Sequence, residues 1–326
     1  MDLLLNVVLL LVGFVLLIKG ADYFVEGASY VAKALKVPTI IVGLTIVSIG
    51  TSAPELAVSI SAAAKGENAM AISNVIGSNL FNLLVVLGAC ALIKPIHVAK
   101  DVVKRDFPFS IILVLILLLS VADRYNPLCK AEYTGDYVGT LGRKAGILFL
   151  IFLVAFIIVL VVSAMKSRKN SEDEPFEKMN KLLCAVFIFG GAAAIVYGGD
   201  VVVDNAKAIA IKFGMSETLV GLTIVAIGTS LPELVTSLVA SKKGANDMAV
   251  GNVVGSNIFN ILLVLGASIT ISPMLVLTTS AIDLLILAIV SIISYIVVVT
   301  KNEFGRLEGF IMVMMYAVYM VYACIR

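Results

Sequence analysis

Charge is scarce in this chain. Only 14% of its 326 residues are charged, and it has a single histidine, no tryptophan and four cysteines. Soluble domains carry about 25% charged residues, so the shortage excludes a soluble globular fold. A net charge of +2, with its basic residues spread through loops, leaves no patch for nucleic acid. Cys90, Cys129, Cys184 and Cys324 show no CxxC spacing and no histidine partner, so no disulfide framework can be argued. Cys90 and Cys184 fall in apolar segments and read as small hydrophobes. His97 stands in a basic loop and reads as solvated. No basic segment precedes the first apolar run, LLLNVVLLLVGFVLLIKG, so a cleaved secretory signal is not expected and the run reads as a retained first helix.

Hydrophobic residues make up 60% of the chain, in runs near the ~20-residue length that spans a bilayer. Breaks between runs give ten candidate spans: 2–32, 39–64, 69–93, 107–122, 145–165, 182–211, 217–241, 246–270, 277–300 and 304–325. An all-α membrane protein is expected, since helices satisfy their own backbone groups in lipid. A first five-helix half, 1–166, is joined to a second, 182–326, by the polar linker SRKNSEDEPFEKMNK at 167–181. Lysine and arginine counts set the orientation. With the N-terminus outside, inner loops hold fifteen and outer segments eight, which favours both termini extracellular, the linker cytoplasmic and a location in the cell membrane.

Residues 43–89 and 221–267 are copies of one another, sharing 31 of 47 positions at an offset of 178 without a gap. The offset also pairs Gly20 with Gly198, Asp22 with Asp200 and Glu26 with Asp204. Five spans per half is an odd number, so the two copies face opposite sides of the membrane: the repeats are inverted.

Each copy places a carboxylate where lipid tolerates it least. Gly50-Thr51-Ser52-Ala53-Pro54-Glu55 and its twin Gly228-Thr229-Ser230-Leu231-Pro232-Glu233 interrupt apolar helices with glycine and proline. Proline removes an amide donor and frees a carbonyl one turn back; such breaks survive at membrane depth only where they face protein, water or an ion. Ser52 and Ser230 are placed to cap the resumed helices. The second part of each motif carries Ser78 and Asn82, or Ser256 and Asn260, four apart on one helix face. Oxygen-only donors and two carboxylates suit Na⁺ or Ca²⁺ rather than zinc or copper. Ionisable residues inside a span mark ion pathways. Asp22, Glu26, Asp200 and Asp204 read either as solvated or capping helix-end groups near the outer surface or as ion-access groups, and Lys19 as snorkelling or pairing with a nearby acid.

GTSxPE followed by NxxGSNxFN, each present twice, resembles the α-repeats of the cation/calcium antiporter superfamily, specifically its sodium/calcium exchanger family, in a compact prokaryotic form. That resemblance implies electrogenic exchange of three Na⁺ for one Ca²⁺. It implies cation coordination by Glu55 and Glu233, assisted by Thr51, Ser52, Thr229, Ser230, Ser78, Ser256, Asn82 and Asn260, and by the backbone carbonyls of Ser48 and Ala226. The neutral amide of Asn260, where the potassium-dependent branch carries aspartate, argues against K⁺ cotransport. Leu56 and Leu234 follow the glutamates where the proton/calcium branch has histidine. Ca²⁺/H⁺ or other cation antiport on this scaffold is the alternative, and a cation channel a more distant one. No HExxH and no nucleophile–base pair is present, so an enzyme is not expected. Expected partners are the lipid bilayer and the transported Na⁺ and Ca²⁺; no cofactor, nucleic acid or protein partner is called for.

Overall fold

The computed structural model describes residues 3–66, 68–122, 137–169, 180–214 and 226–325. Most of the stretch between the fourth and fifth expected spans, with Cys129, lies outside them, as do most of the linker and the start of the seventh span. The chain is an all-helical membrane protein. Among the described residues, seven helices are long and apolar enough to cross a bilayer: α1 (Leu3–Leu35), α4 (Met70–Ile93), α6 (Arg143–Lys166), α7 (Lys181–Lys212), α10 (Asn246–Ile271), α11 (Thr278–Lys301) and α12 (Arg306–Ile325). The pair α2 (Thr39–Thr51) and α3 (Ala53–Ala64), bent by 48°, makes an eighth. Between these lie the 16-residue α5 (Phe107–Ala122) and the short helices α8 (Ala226–Gly228) and α9 (Leu231–Lys242).

The bend between α2 and α3 follows from sequence. Ser52 leaves helical geometry at φ −83°, ψ 9°, and Pro54 sits in the first turn of α3, where its missing N–H is not needed. The second copy does the same: Ser230 stands at φ −95°, ψ 7°, ahead of Pro232 in α9. Further along, α4 and α10 widen into π turns at Asn82–Val86 and Asn260–Leu265. Such turns interrupt the regular hydrogen-bond ladder and recur at functional sites.

Among the described residues, two two-stranded sheets tie the loops together. β1 (Ile96–His97) pairs antiparallel with β4 (Glu303–Phe304), and β2 (Tyr137–Leu141) with β3 (Met274–Leu277). His97 is exposed and faces Glu303, its Nδ1 3.1 Å from the carboxylate.

Apolar side chains form two clusters. The larger runs through α2–α6 and α9–α12. The smaller is built chiefly from α1 and α7, with Val42, Val47, Val239 and Met248 on its inner side. These two helices touch backbone to backbone. A Cβ at Gly20 would lie 2.9 Å from the Gly191 carbonyl, and one at Gly191 would lie 2.8 Å from that of Gly20. Gly13 and Gly198 repeat the contact at 3.0 Å in both directions. Glycine is required here because any side chain would force the helices apart.

Candidate cation-binding site

Glu55 and Glu233 are fully buried, each in the first turn of the helix that follows a break. An uncompensated carboxylate there would cost several kcal/mol, so its neighbours decide what the site can do. Across the break, each carboxylate is met by the serine of the other copy. Ser52 Oγ donates to Glu233 Oε1 at 3.0 Å, and Ser230 Oγ donates to Glu55 Oε1 at 3.1 Å. Ser78 Oγ lies 3.5 Å from the same Glu55 oxygen.

This corrects one expectation. Neither Ser52 nor Ser230 caps its helix through its side chain. A cap contributes about 1 kcal/mol, whereas a hydrogen bond to a charged group contributes about 1.5–3 kcal/mol, so the carboxylate takes the hydroxyl.

The asparagines of the second motif interlock in the same reciprocal way. Asn82 Nδ2 donates to Asn257 Oδ1 at 3.2 Å, and Asn260 Nδ2 to Asn79 Oδ1 at 3.0 Å. The Asn79 and Asn257 amides also reach across to each other's backbone carbonyls, at 3.2 and 3.4 Å. Asn74 donates to Ser59 at 3.1 Å, and its twin Asn252 to Ser237 at 3.0 Å. Thr51 turns to Asn252 Oδ1 at 3.1 Å. The functional reading of the sequence had passed over Asn79, Asn257, Asn74 and Asn252. Their signal was available: all four recur at the repeat offset, and Asn79 lies three residues before Asn82, on its face of the helix.

Ser48 and Ala226 occupy matching positions with different bonding. The Ser48 carbonyl accepts the Ser52 N–H at 3.0 Å, while Ser230 N–H donates instead to Ile227 O at 3.2 Å. The Ser48 hydroxyl donates to Gly43 O at 2.6 Å. It sits where a Cβ on Gly255 would be only 2.2 Å away, so Gly255 is needed for α2 and α10 to approach.

After these bonds, several buried oxygens have no protein partner: Glu55 Oε2, Glu233 Oε2, Asn82 Oδ1, Asn260 Oδ1, Thr229 Oγ1 and Ser256 Oγ. Buried polar atoms are rarely left so. They come from both motifs of both copies, and α3 packs against the turn that starts at Asn260 as α9 packs against the one that starts at Asn82. Hard oxygen donors carrying two carboxylates fit an alkali or alkaline-earth cation, and a formal charge of −2 balances one Ca²⁺.

Beside this centre lies a cavity of ≈ 830 Å³. Pro54, Thr229 and Pro232, close to the two glutamates in sequence, line it together with Lys65, Asp200 and Asp204. Asp22 and Glu26, the counterparts of those aspartates, are engaged: Lys243 Nζ lies 3.4 Å from Asp22 Oδ1 and 3.8 Å from Glu26 Oε2. Of the roles open to these acids, Asp22 and Glu26 take an ion pair at the end of α9, where Lys243 is the C-cap. Lys19 does reach Asp22, at 4.0 Å.

The sequence pattern of sodium/calcium exchanger proteins matches residues 5–162 and 183–325 of this chain. A putative antiporter, CaxA, of Alkalimonas amylolytica is 41% identical over 243 residues, 74% of this chain and 73% of its own length. The sodium/calcium exchanger MaX1 of Methanosarcina acetivorans is 32% identical over 97% of both chains. A solved structure of the sodium-calcium exchanger NCX_Mj, soaked with 10 mM Na⁺ and zero Ca²⁺, matches 100% of both chains with a TM-score of 0.81 and 30% identity.

Proposed function

The chain belongs to the sodium/calcium exchanger family, a family of membrane transporters and not of enzymes, and we propose that it exchanges three Na⁺ for one Ca²⁺ by alternating access at the Glu55–Glu233 centre. The observation that carries this reading is the reciprocal pairing of Ser52 with Glu233 and Ser230 with Glu55, beside buried carboxylate and amide oxygens with no protein partner. Glu55 and Glu233 supply the charge that holds Ca²⁺. Thr51, Ser52, Thr229, Ser230, Ser78, Ser256, Asn82 and Asn260 supply neutral oxygens, and the carbonyls of Ser48 and Ala226 complete the set. Na⁺ ions divide these oxygens among smaller sites, which makes Na⁺ and Ca²⁺ compete.

The proposal rests on ten crossings in two inverted halves, 1–166 and 182–326, joined by a cytoplasmic linker at 167–181. The crossed hydrogen bonds support it, since each recurs with the two copies exchanged: Ser52–Glu233 as Ser230–Glu55, and Asn82–Asn257 as Asn260–Asn79. The small sheets support it too. β3 and β4 flank α11, a 24-residue span, and so belong to opposite membrane faces. β1 pairs with β4 and β2 with β3, which argues that α5, between β1 and β2, also crosses. With the π turn at Val102–Asp106 ahead of it, the helix through Ala122 is roughly 30 Å long at 1.5 Å per residue, enough for the hydrocarbon core. The loop charges put both termini outside, so the ≈ 830 Å³ cavity opens to the outside, on the side of Lys65.

The test is ⁴⁵Ca²⁺ uptake into proteoliposomes loaded with Na⁺, K⁺ or H⁺ in turn. Uptake driven by the Na⁺ gradient alone is expected. Uptake driven by a proton gradient without Na⁺ would replace this reading with Ca²⁺/H⁺ exchange, and passive Ca²⁺ flux without any counter-ion would indicate a channel.

A further inference from the structure

We propose that Lys243 with Asp22 and Glu26, and Lys65 with Asp200 and Asp204, are two alternating ionic latches that close the transporter on opposite sides. The inference rests on the alternating-access reading above. Lys243 ends α9, the core helix that begins beside Glu233; Lys65 ends α3, which begins beside Glu55. The two triads are exchanged by the repeat offset, yet the structure treats them differently. Lys243 Nζ donates to the Asp22 carbonyl at 2.7 Å, with the Asp22 and Glu26 carboxylates at 3.4 and 3.8 Å, which ties α1 to the core. Among the described residues no ion pair joins Lys65 to Asp200 or Asp204; instead all three border the cavity that reaches Pro54 and Thr229. One latch is shut and its counterpart open, on the side where the cavity lies. Because α1 and α7 are locked together through Gly13, Gly20, Gly191 and Gly198, they shift against the core as a pair. A shift that brings α7 to Lys65 draws α1 from Lys243.

The experiment uses the full chain with its four cysteines replaced and Ser61→Cys, which lines the cavity, as reporter. In oriented vesicles, a membrane-impermeant maleimide is applied from the Lys65 side. Lys243→Ala should slow labelling by about twofold to fivefold, the shift expected from losing a partly exposed ion pair. Lys65→Ala added to it should restore the rate, and Lys242→Ala, whose side chain is in neither latch, should leave it unchanged. Unchanged or faster labelling in Lys243→Ala, or no recovery in the double variant, overturns the proposal. The same reporter protein is assayed for Na⁺-driven Ca²⁺ uptake, so that failed exchange refutes the transport reading, and intact exchange with unmoved labelling refutes the latches alone.

Discussion

Replacing Glu233 with glutamine isolates the charge of the site from its shape. The side chain is fully buried, accepts Ser52 Oγ on Oε1 at 3.0 Å and leaves Oε2 without a protein partner. Glutamine keeps the volume and an acceptor for Ser52, so the protein should fold and insert, with a thermal midpoint in ion-free buffer no lower than that of the parent. Ca²⁺ binding should fail. At a Ca–O distance of about 2.4 Å and an effective dielectric of about 20, the attraction between Ca²⁺ and one carboxylate is roughly 14 kcal/mol. Dehydration of both ions offsets most of it. Removing one member of a buried charge pair leaves a net loss of about 3–5 kcal/mol, which is roughly 150-fold to 5,000-fold in affinity. Calorimetric Ca²⁺ titration of the purified protein and Na⁺-driven ⁴⁵Ca²⁺ uptake over a range of Ca²⁺ concentrations read this directly. Glu55→Gln should behave alike, because Ser230 meets Glu55 as Ser52 meets Glu233 and both carboxylates are fully buried. Affinity within tenfold of the parent in either variant would refute the assignment of both carboxylates to the ion.

Protons should compete with Ca²⁺, since protonating either carboxylate removes one of the two charges a divalent ion needs; uptake should fall on acidification and recover with added Ca²⁺, and rates flat down to about pH 5, near a unit above the reference pKa of glutamate, would contradict this. Three Na⁺ against one Ca²⁺ moves one net charge, so an inside-negative potential should slow uptake into Na⁺-loaded vesicles, with a driving force of roughly 2.3 kcal/mol per 100 mV. Indifference to a valinomycin-clamped potential would reject the three-to-one ratio. A disulfide between α1 and α2 or α9 should arrest exchange reversibly, because the proposed cycle has α1 and α7, which make up most of the smaller apolar cluster, slide on the core, whereas one between α3 and α10 should be tolerated; the opposite pattern in uptake before and after reductant would place gating within the repeats.

The sequence by itself was enough for the helical membrane fold and for placing the two glutamates at breaks in apolar helices. Duplication at a fixed offset is visible without coordinates, and proline next to a carboxylate inside an apolar run has few meanings in lipid. The break at Ser52 and the resumption of helix at Ala53 are local events, dictated by residues within one turn, and they fall where the motif puts them.

What crosses between the copies was decided only by tertiary structure. The serines that local rules assign to helix caps are claimed by carboxylates 175 and 181 residues away, because a bond to a charge outweighs a cap. The Asn79–Asn260 and Asn82–Asn257 pairs depend on the close crossing of helices that no single segment encodes. Most telling is Lys243, bound to Asp22 and Glu26, beside its sequence twin Lys65, which borders an open cavity. The repeat offers both lysines corresponding acids; which lysine is paired is a property of the packed chain, set by where α1 and α7 rest against the core.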